Sequence, residues 1–177
     1  MEQPAFTFLD TRELAKRTYL LLSDFTRVDE KFGKITAAKD FVTNYASIDV
    51  LNNMFTFLIY ALLIGYGDKS ATIHDWLYSG YGILREDGTI YYPTREECDE
   101  IFYRSLLAEK VHPVRAKIFY KGVRLFGAKN YTAQATFVAP TPEALVSEAL
   151  VPVGHTEFVP DLTPAEAQAE AARNTTA

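Results

Sequence analysis

His74, Asp75 and Tyr78 stand together in the run A-T-I-H-D-W-L-Y, and Arg95 and Asp99 follow about twenty residues later. Adjacent residues on a helix point roughly 100° apart, so His74 and Asp75 cannot pair with each other but can each face a different partner. A carboxylate on a neighbouring helix would fix the tautomer of His74 and raise its basicity, and Asp99 is the candidate. Asp75 would then be placed to hold a hard cation through oxygen. A histidine base, an orienting carboxylate and a cation-binding carboxylate suffice for attack of water on an ester or similar carbonyl. Nothing else in the chain offers comparable chemistry: it has no G-x-S-x-G, no Walker loop and no H-E-x-x-H.

A plainer reading stands beside that one. A histidine packed against an acidic residue of the next helix is often a satisfied buried polar pair. Asp75 could cap its helix or pair with Lys69 or Arg95. Trp76 and Tyr78 read as core or interface aromatics. His112, before a proline, reads as a loop residue, and His155 lies far down the chain. The single cysteine, Cys98, falls on an apolar helix face and reads as an inert buried thiol. A working dyad needs one ring nitrogen on Asp99, the other turned to a solvent-accessible cleft, and oxygens gathered around Asp75. A ring sealed in the core, or one more than about 6 Å from Asp99, leaves no dyad. The expectation is a contact between His74 and Asp99 in a structural role, with an incomplete cation site.

These residues must be positioned by an α+β fold: a small N-terminal antiparallel sheet packed on three to four helices. Residues 1–15 read as an irregular arm. Thr18 to Phe25 is β-branched, aromatic and aliphatic, which predicts a strand. Val28 to Gly33 reads as a turn, and Phe41 to Ile48 alternates loosely with period two. Ala71, His74, Asp75 and Tyr78 recur at helical spacing, as do Ile73 and Leu77, predicting a helix from about Lys69 to Ser79, ended by Gly80-Tyr-Gly82. Residues 83–92 carry a Glu-Asp-Gly turn signal and predict a short hairpin. Thr94 then caps a helix with Glu96 and Glu97 in its first turn and an apolar face of Cys98, Ile101, Phe102, Ser105 and Leu106. A third helix starts at Pro113, is expected to bury Val114, Ile118, Val123 and Leu125, and stops at Gly127. Its Lys and Arg at 115, 117, 121 and 124 read as a solvated face.

The 177 residues, 48% of them apolar and 14% aromatic, can bury a core of ordinary size. One cysteine excludes an intramolecular disulfide framework and any multi-cysteine zinc site. No basic stretch precedes an apolar one at the N-terminus, so no secretory signal is expected. The apolar run from Met54 to Tyr66 is shorter than the roughly 20 residues of a membrane span, and reads as a buried helix or strand pair. Charge is unevenly placed. Residues 1–136 carry 17 Lys and Arg against 17 Asp and Glu, whereas residues 137–177 carry Arg173 against six carboxylates. A neutral body argues against a broad nucleic-acid surface. The last stretch also holds five of the eight prolines. These shifts predict a compact domain over 1–136 and an extended acidic tail over 137–177, whose removal should alter stability little. Within the tail, Phe137, Leu150, Val151, Phe158, Val159 and Leu162 recur between prolines, as in a segment that orders against a partner.

Four blocks in order, F-V-T-N-Y-A-S at 41–47, A-T-I-H-D-W-L-Y at 71–78, T-R-E-E-C-D-E-I-F-Y at 94–103 and Y-K-G-V-R-L-F-G at 120–127, resemble a family of small phage and prophage proteins of unknown activity. That family's pattern is F-x-T-D-x-A-S, H-D-x-L-Y, R-x-x-A-D-x-x-F and a helix ending V-R-L-F-G, and the resemblance covers roughly residues 39–127. Asn44 stands where the pattern has Asp, Asp49 where a proline usually follows the first block, and Cys98 in place of the small residue before Asp99. An amide at 44 cannot supply charge to a cation. Locally, the H-D-x-x-Y helix followed by a helix bearing Asp is similar to the catalytic helix pair of secreted phospholipases. That likeness implies His74 as base, Asp75 as calcium ligand and Asp99 as the carboxylate orienting the histidine. The flanking cysteines of those enzymes are absent, and Gly65-Tyr-Gly67 is all that stands for their glycine-rich calcium loop.

Two functions are therefore expected, in this order. The first is a phage virion or assembly protein, associated with a tail or head-tail complex and assembled in the host cytoplasm. It would dock a compact domain and bind other virion proteins, or further copies of itself, through its C-terminal segment. The second is a His/Asp-dependent hydrolase of lipid or cell-envelope esters, with calcium as cofactor under that reading alone.

Overall fold

The computed structural model describes residues 5–15, 18–43 and 67–141. The remaining parts of the first block, Met54–Tyr66 and the tail beyond 141 lie outside the described residues. The fold is α+β, with small antiparallel sheets in the N-terminal part and, among the described residues, three α-helices.

Strands β1 (Thr11–Ala15), β2 (Thr18–Leu21) and β5 (Val42–Thr43) form one sheet in the order β1-β2-β5. β1 falls within the segment expected to be an irregular arm. Its sequence T-R-E-L-A is largely polar, so the strand is set by backbone pairing to β2, Thr11 opposite Leu21, rather than by a buried face of its own. The strand expected over Thr18–Phe25 is two strands. The chain leaves the sheet at Leu22, whose N–H reaches Asp10 O, and re-enters pairing as β3 (Phe25–Asp29), which forms a hairpin with β4 (Gly33–Ala37). The turn between them is held by Asp29 Oδ1, which accepts the N–H groups of Lys31 and Phe32. The same carboxylate is gripped from the helical layer by Arg104, Nε to Oδ2 at 2.9 Å and Nη2 to Oδ1 at 3.1 Å.

Helix α1 (Asp68–Tyr78) is within one residue of expectation at each end. Gly80 has φ 80°, and a Cβ there would lie 2.8 Å from Thr132 O, so only glycine lets the chain pass at that point. The hairpin β6 (Ile83–Leu84) and β7 (Ile90–Tyr91) follows. Helix α2 (Arg95–Ala108) starts with a complete capping box: Thr94 Oγ1 accepts Glu97 N–H, and the Glu97 carboxylate accepts Thr94 N–H. Its buried face is the one expected, with Asp99 added.

Helix α3 (Pro113–Phe126) corrects the expected face. Its buried residues are Ala116, Phe119 and Gly122, while Val114, Ile118 and Leu125 are exposed and Val123 is partly buried. Two small residues on the inner face let α3 lie close to α2, and Phe119 fills the space with Phe102, Leu106 and Val111. The larger core joins Leu21, Phe25, Ile35, Trp76, Leu77 and Ile101 between hairpin, α1 and α2.

Beyond α3 and a 3-10 turn (Gly127–Asn130), the chain runs back over α1. Thr132 N–H donates to Tyr78 O, Ala135 N–H to Gly80 O, and Tyr131 Oη to Pro93 O. Phe137 then packs against Phe41, Trp76 and Tyr81, with ring centroids 6.3, 5.1 and 5.1 Å away. The boundary expected at 136 cuts through this contact. Phe137 sits with the body rather than with a partner-binding strip, because the aromatic ring finds apolar cover there.

Candidate functional site

His74 and Tyr78 are four residues apart on α1 and therefore share a face. Both point at Asp99 on α2. Oδ1 of Asp99 accepts from His74 Nε2 at 3.1 Å and from Tyr78 Oη at 2.5 Å. Oδ2 accepts from Arg124 Nη1 at 3.0 Å, across from the last turn of α3. One carboxylate thus joins three helices, and its side chain is 0% exposed. Burial alone would push its pKa up, but the donors from His74, Tyr78 and Arg124 outweigh it and hold Asp99 below the ordinary carboxylate value. Tyr78 is pushed the other way, by burial and by the negative charge it donates to. Arg95 does not reach this carboxylate; its Nη1 caps Arg124 O.

The His74 ring lies between Tyr78 and Phe102, with centroids 4.0 and 4.7 Å away, and its side chain is 4% exposed. The ring is therefore almost wholly covered, whereas a working dyad needs its free nitrogen turned to an open cleft. With Nε2 committed to Asp99, Nδ1 is the nitrogen left for proton transfer. Among the described residues, the buried side-chain polar atoms lacking a partner are Nε and Nη1 of Arg27 and Oγ of Ser105. Nδ1 of His74 is not one of them.

Asp75 turns away from His74, as adjacent helical positions require, and accepts from Thr43 Oγ1 at 2.6 Å. One partner is thus at the end of β5, and among the described residues neither Lys69 nor Arg95 is bonded to it. Calcium takes six to eight oxygens. Among the described residues no group of three or more His, Cys, Asp or Glu is placed to hold a metal, so Asp75 and Thr43 do not fit a calcium cage by themselves. Asn44, Gly65 and Tyr66 lie outside the described residues, as do Leu150, Val151, Phe158, Val159 and Leu162. Cys98 is fully buried, and burial together with neighbouring carboxylates pushes its thiol up to about 12, which removes it as a nucleophile. His112 is the N-cap of α3, its Nδ1 accepting Val114 N–H at 3.3 Å.

Sequence reasoning brought His74 and Asp99 together but missed three partners. Tyr78 was legible as the i+4 neighbour of His74. Thr43 sits in the first of the four sequence blocks, 32 residues before Asp75. Arg124 looked like one more solvated cation of α3.

A family model described as a protein of unknown function, DUF1353, matches residues 19–123. The match spans β2 to the last turn of α3 and so takes in His74, Asp75 and Asp99. No curated protein and no solved structure matches the chain.

Proposed function

Since the chain belongs to that family, whose function is not known, we propose a phage virion or assembly protein in which His74, Tyr78 and Arg124 brace three helices on Asp99. Hydrolysis of ester bonds in lipid or cell-envelope material, with His74 as general base and Asp99 orienting it, is the second reading and requires the buried His74 ring to be uncovered. The burial of His74 carries the bracing role in the first reading, and the division of labour on the imidazole is what favours the second. Nε2 is fixed on a buried carboxylate, which leaves Nδ1 as the acceptor for a proton. A water held at Nδ1 would give up that proton as its oxygen attacks the ester carbonyl. The proton then passes from Nδ1 to the departing alkoxide, so that the products are a carboxylic acid and an alcohol. Tyr78 and Arg124 hold the Asp99 carboxylate in place and keep it ionised; they touch no substrate and are positioning residues. The place in a phage particle that the first reading gives the chain is supported by the resemblance of the four sequence blocks alone; mass spectrometry of purified particles tests it, and a chain absent from them overturns it.

The test of the second reading is hydrolysis by the full chain of a soluble short-chain ester and of a phospholipid, each with calcium and with chelator. His74→Gln keeps an N–H for Asp99 but cannot take a proton. It should hold its melting temperature within a few degrees and lose about 100-fold or more of the rate. Asp75→Asn separates a role for that carboxylate from the dyad. A wild-type chain that hydrolyses neither ester, or a His74→Gln chain as fast as wild type, overturns the second reading and leaves the pair as a brace between helices.

A further inference from the structure

We propose that the outer face of α3 docks on an anionic lipid surface. Val114, Ile118, Lys121 and Leu125 follow one another at spacings of four, three and four, which lines them up along one side of the helix. The three apolar members are 61%, 37% and 69% exposed. The opposite side, Ala116, Phe119 and Val123, faces α2. An exposed apolar line on an amphipathic helix needs an occupant, and the charge around it says which.

Between Glu109 and Glu143 the chain carries Lys110, Arg115, Lys117, Lys121, Arg124 and Lys129 and no acidic residue. Arg124 is engaged with Asp99, but Lys117 and Lys121 are exposed beside the apolar line. The whole chain has a net charge of −5. A basic apolar helix on a body of otherwise balanced charge turns that face toward a negative surface. A second copy suits this face poorly, because a two-fold contact would set Lys117 and Lys121 against their own copies. An anionic bilayer offers both an acyl boundary for Val114, Ile118 and Leu125 and headgroup charge for the lysines. Among the described residues no helix is long and apolar enough to cross a membrane, so the contact is with the surface.

The surface stands on exposure and charge, and only its use in presenting lipid to His74 rests on the hydrolase reading. It deepens that reading by naming the substrate class: lipid met at an anionic interface.

The experiment is sedimentation of the full-length protein with vesicles of phosphatidylcholine alone or with about a third phosphatidylglycerol, at low and high salt. Binding is expected to the anionic vesicles only and to weaken with salt. Lys117→Glu with Lys121→Glu should reduce partition at least tenfold. Val114→Ser with Leu125→Ser should reduce it comparably while leaving the melt, and any hydrolysis of a soluble ester, unchanged. His74→Gln should bind like wild type, so that loss of hydrolysis and loss of docking are read separately. No binding to anionic vesicles, or binding indifferent to both double variants, overturns the proposal. So does light scattering that finds a dimer which the Leu125→Ser change makes monomeric.

Discussion

Asp99 ties three helices together through one carboxylate. Its carboxylate is buried, ionised and shared among donors from two other helices, so removing its charge strands a guanidinium and an imidazole beside an amide. Asp99→Asn should cost about 3–5 kcal/mol, read by urea denaturation at neutral pH. The pH dependence has a definite sign. The folded-state pKa lies below the ordinary value of 3.8. The charged form therefore stabilises the fold above the ordinary value, and that stabilisation drains away as the pH falls through the folded one. The gap in melting temperature between wild type and Asp99→Asn should narrow as the pH is taken from about 5 to about 3; a constant gap would place the stabilisation elsewhere. The pairing of His74 with Asp99 was legible because helical spacing limits what a buried imidazole can face. Arg124 was not, because nothing in a run of cations marks the one whose partner lies on another helix.

At the scale of elements, local signals and the buried face of α2 were read well, and the buried face of α3 was not. Thr94 with Glu97, Pro113 and the Gly80-Tyr-Gly82 stop act through the backbone within a turn or two, and each sits where the sequence placed it. Which side of α3 turns inward depends on what α2 offers. Ala116 and Gly122 face it because small residues permit close approach, and the more hydrophobic Val114 and Leu125 are left outside. β1 was invisible for a related reason, since its partner supplies its stability. The joint between hairpin and helices was also missed: Asp29 ends β3 and takes two hydrogen bonds from Arg104. Arg104→Met should destabilise by about 3 kcal/mol, since it leaves a buried carboxylate without its closest cation. Arg104→Lys should recover only part of this, because an ammonium cannot match both oxygens. Urea denaturation of both variants decides it, and equal stability of the Lys and Arg forms would reduce the contact to simple charge.

Across the whole molecule, the described chain still touches the body past the boundary at 136 that composition suggests, through the ring of Phe137. A chain ending at Thr141 should melt with the full-length protein. One ending at Thr136 should melt about 3–8 °C lower, since it loses an aromatic ring half-buried among three others, worth about 1–2 kcal/mol. Equal melts would make Phe137 dispensable. The charge division was legible, being a matter of counting; the return of residues 131–137 over α1 was not, because it depends on a glycine at 80 and on carbonyls at 78 and 80 that no local pattern announces. That return has a consequence for how the protein is made. Synthesis runs from the N-terminus, so Phe41, Trp76 and Tyr81 leave the ribosome long before Phe137 does. Until then their shared surface lacks the Phe137 ring, and the nascent chain presents an aromatic patch that its own late-arriving segment then covers.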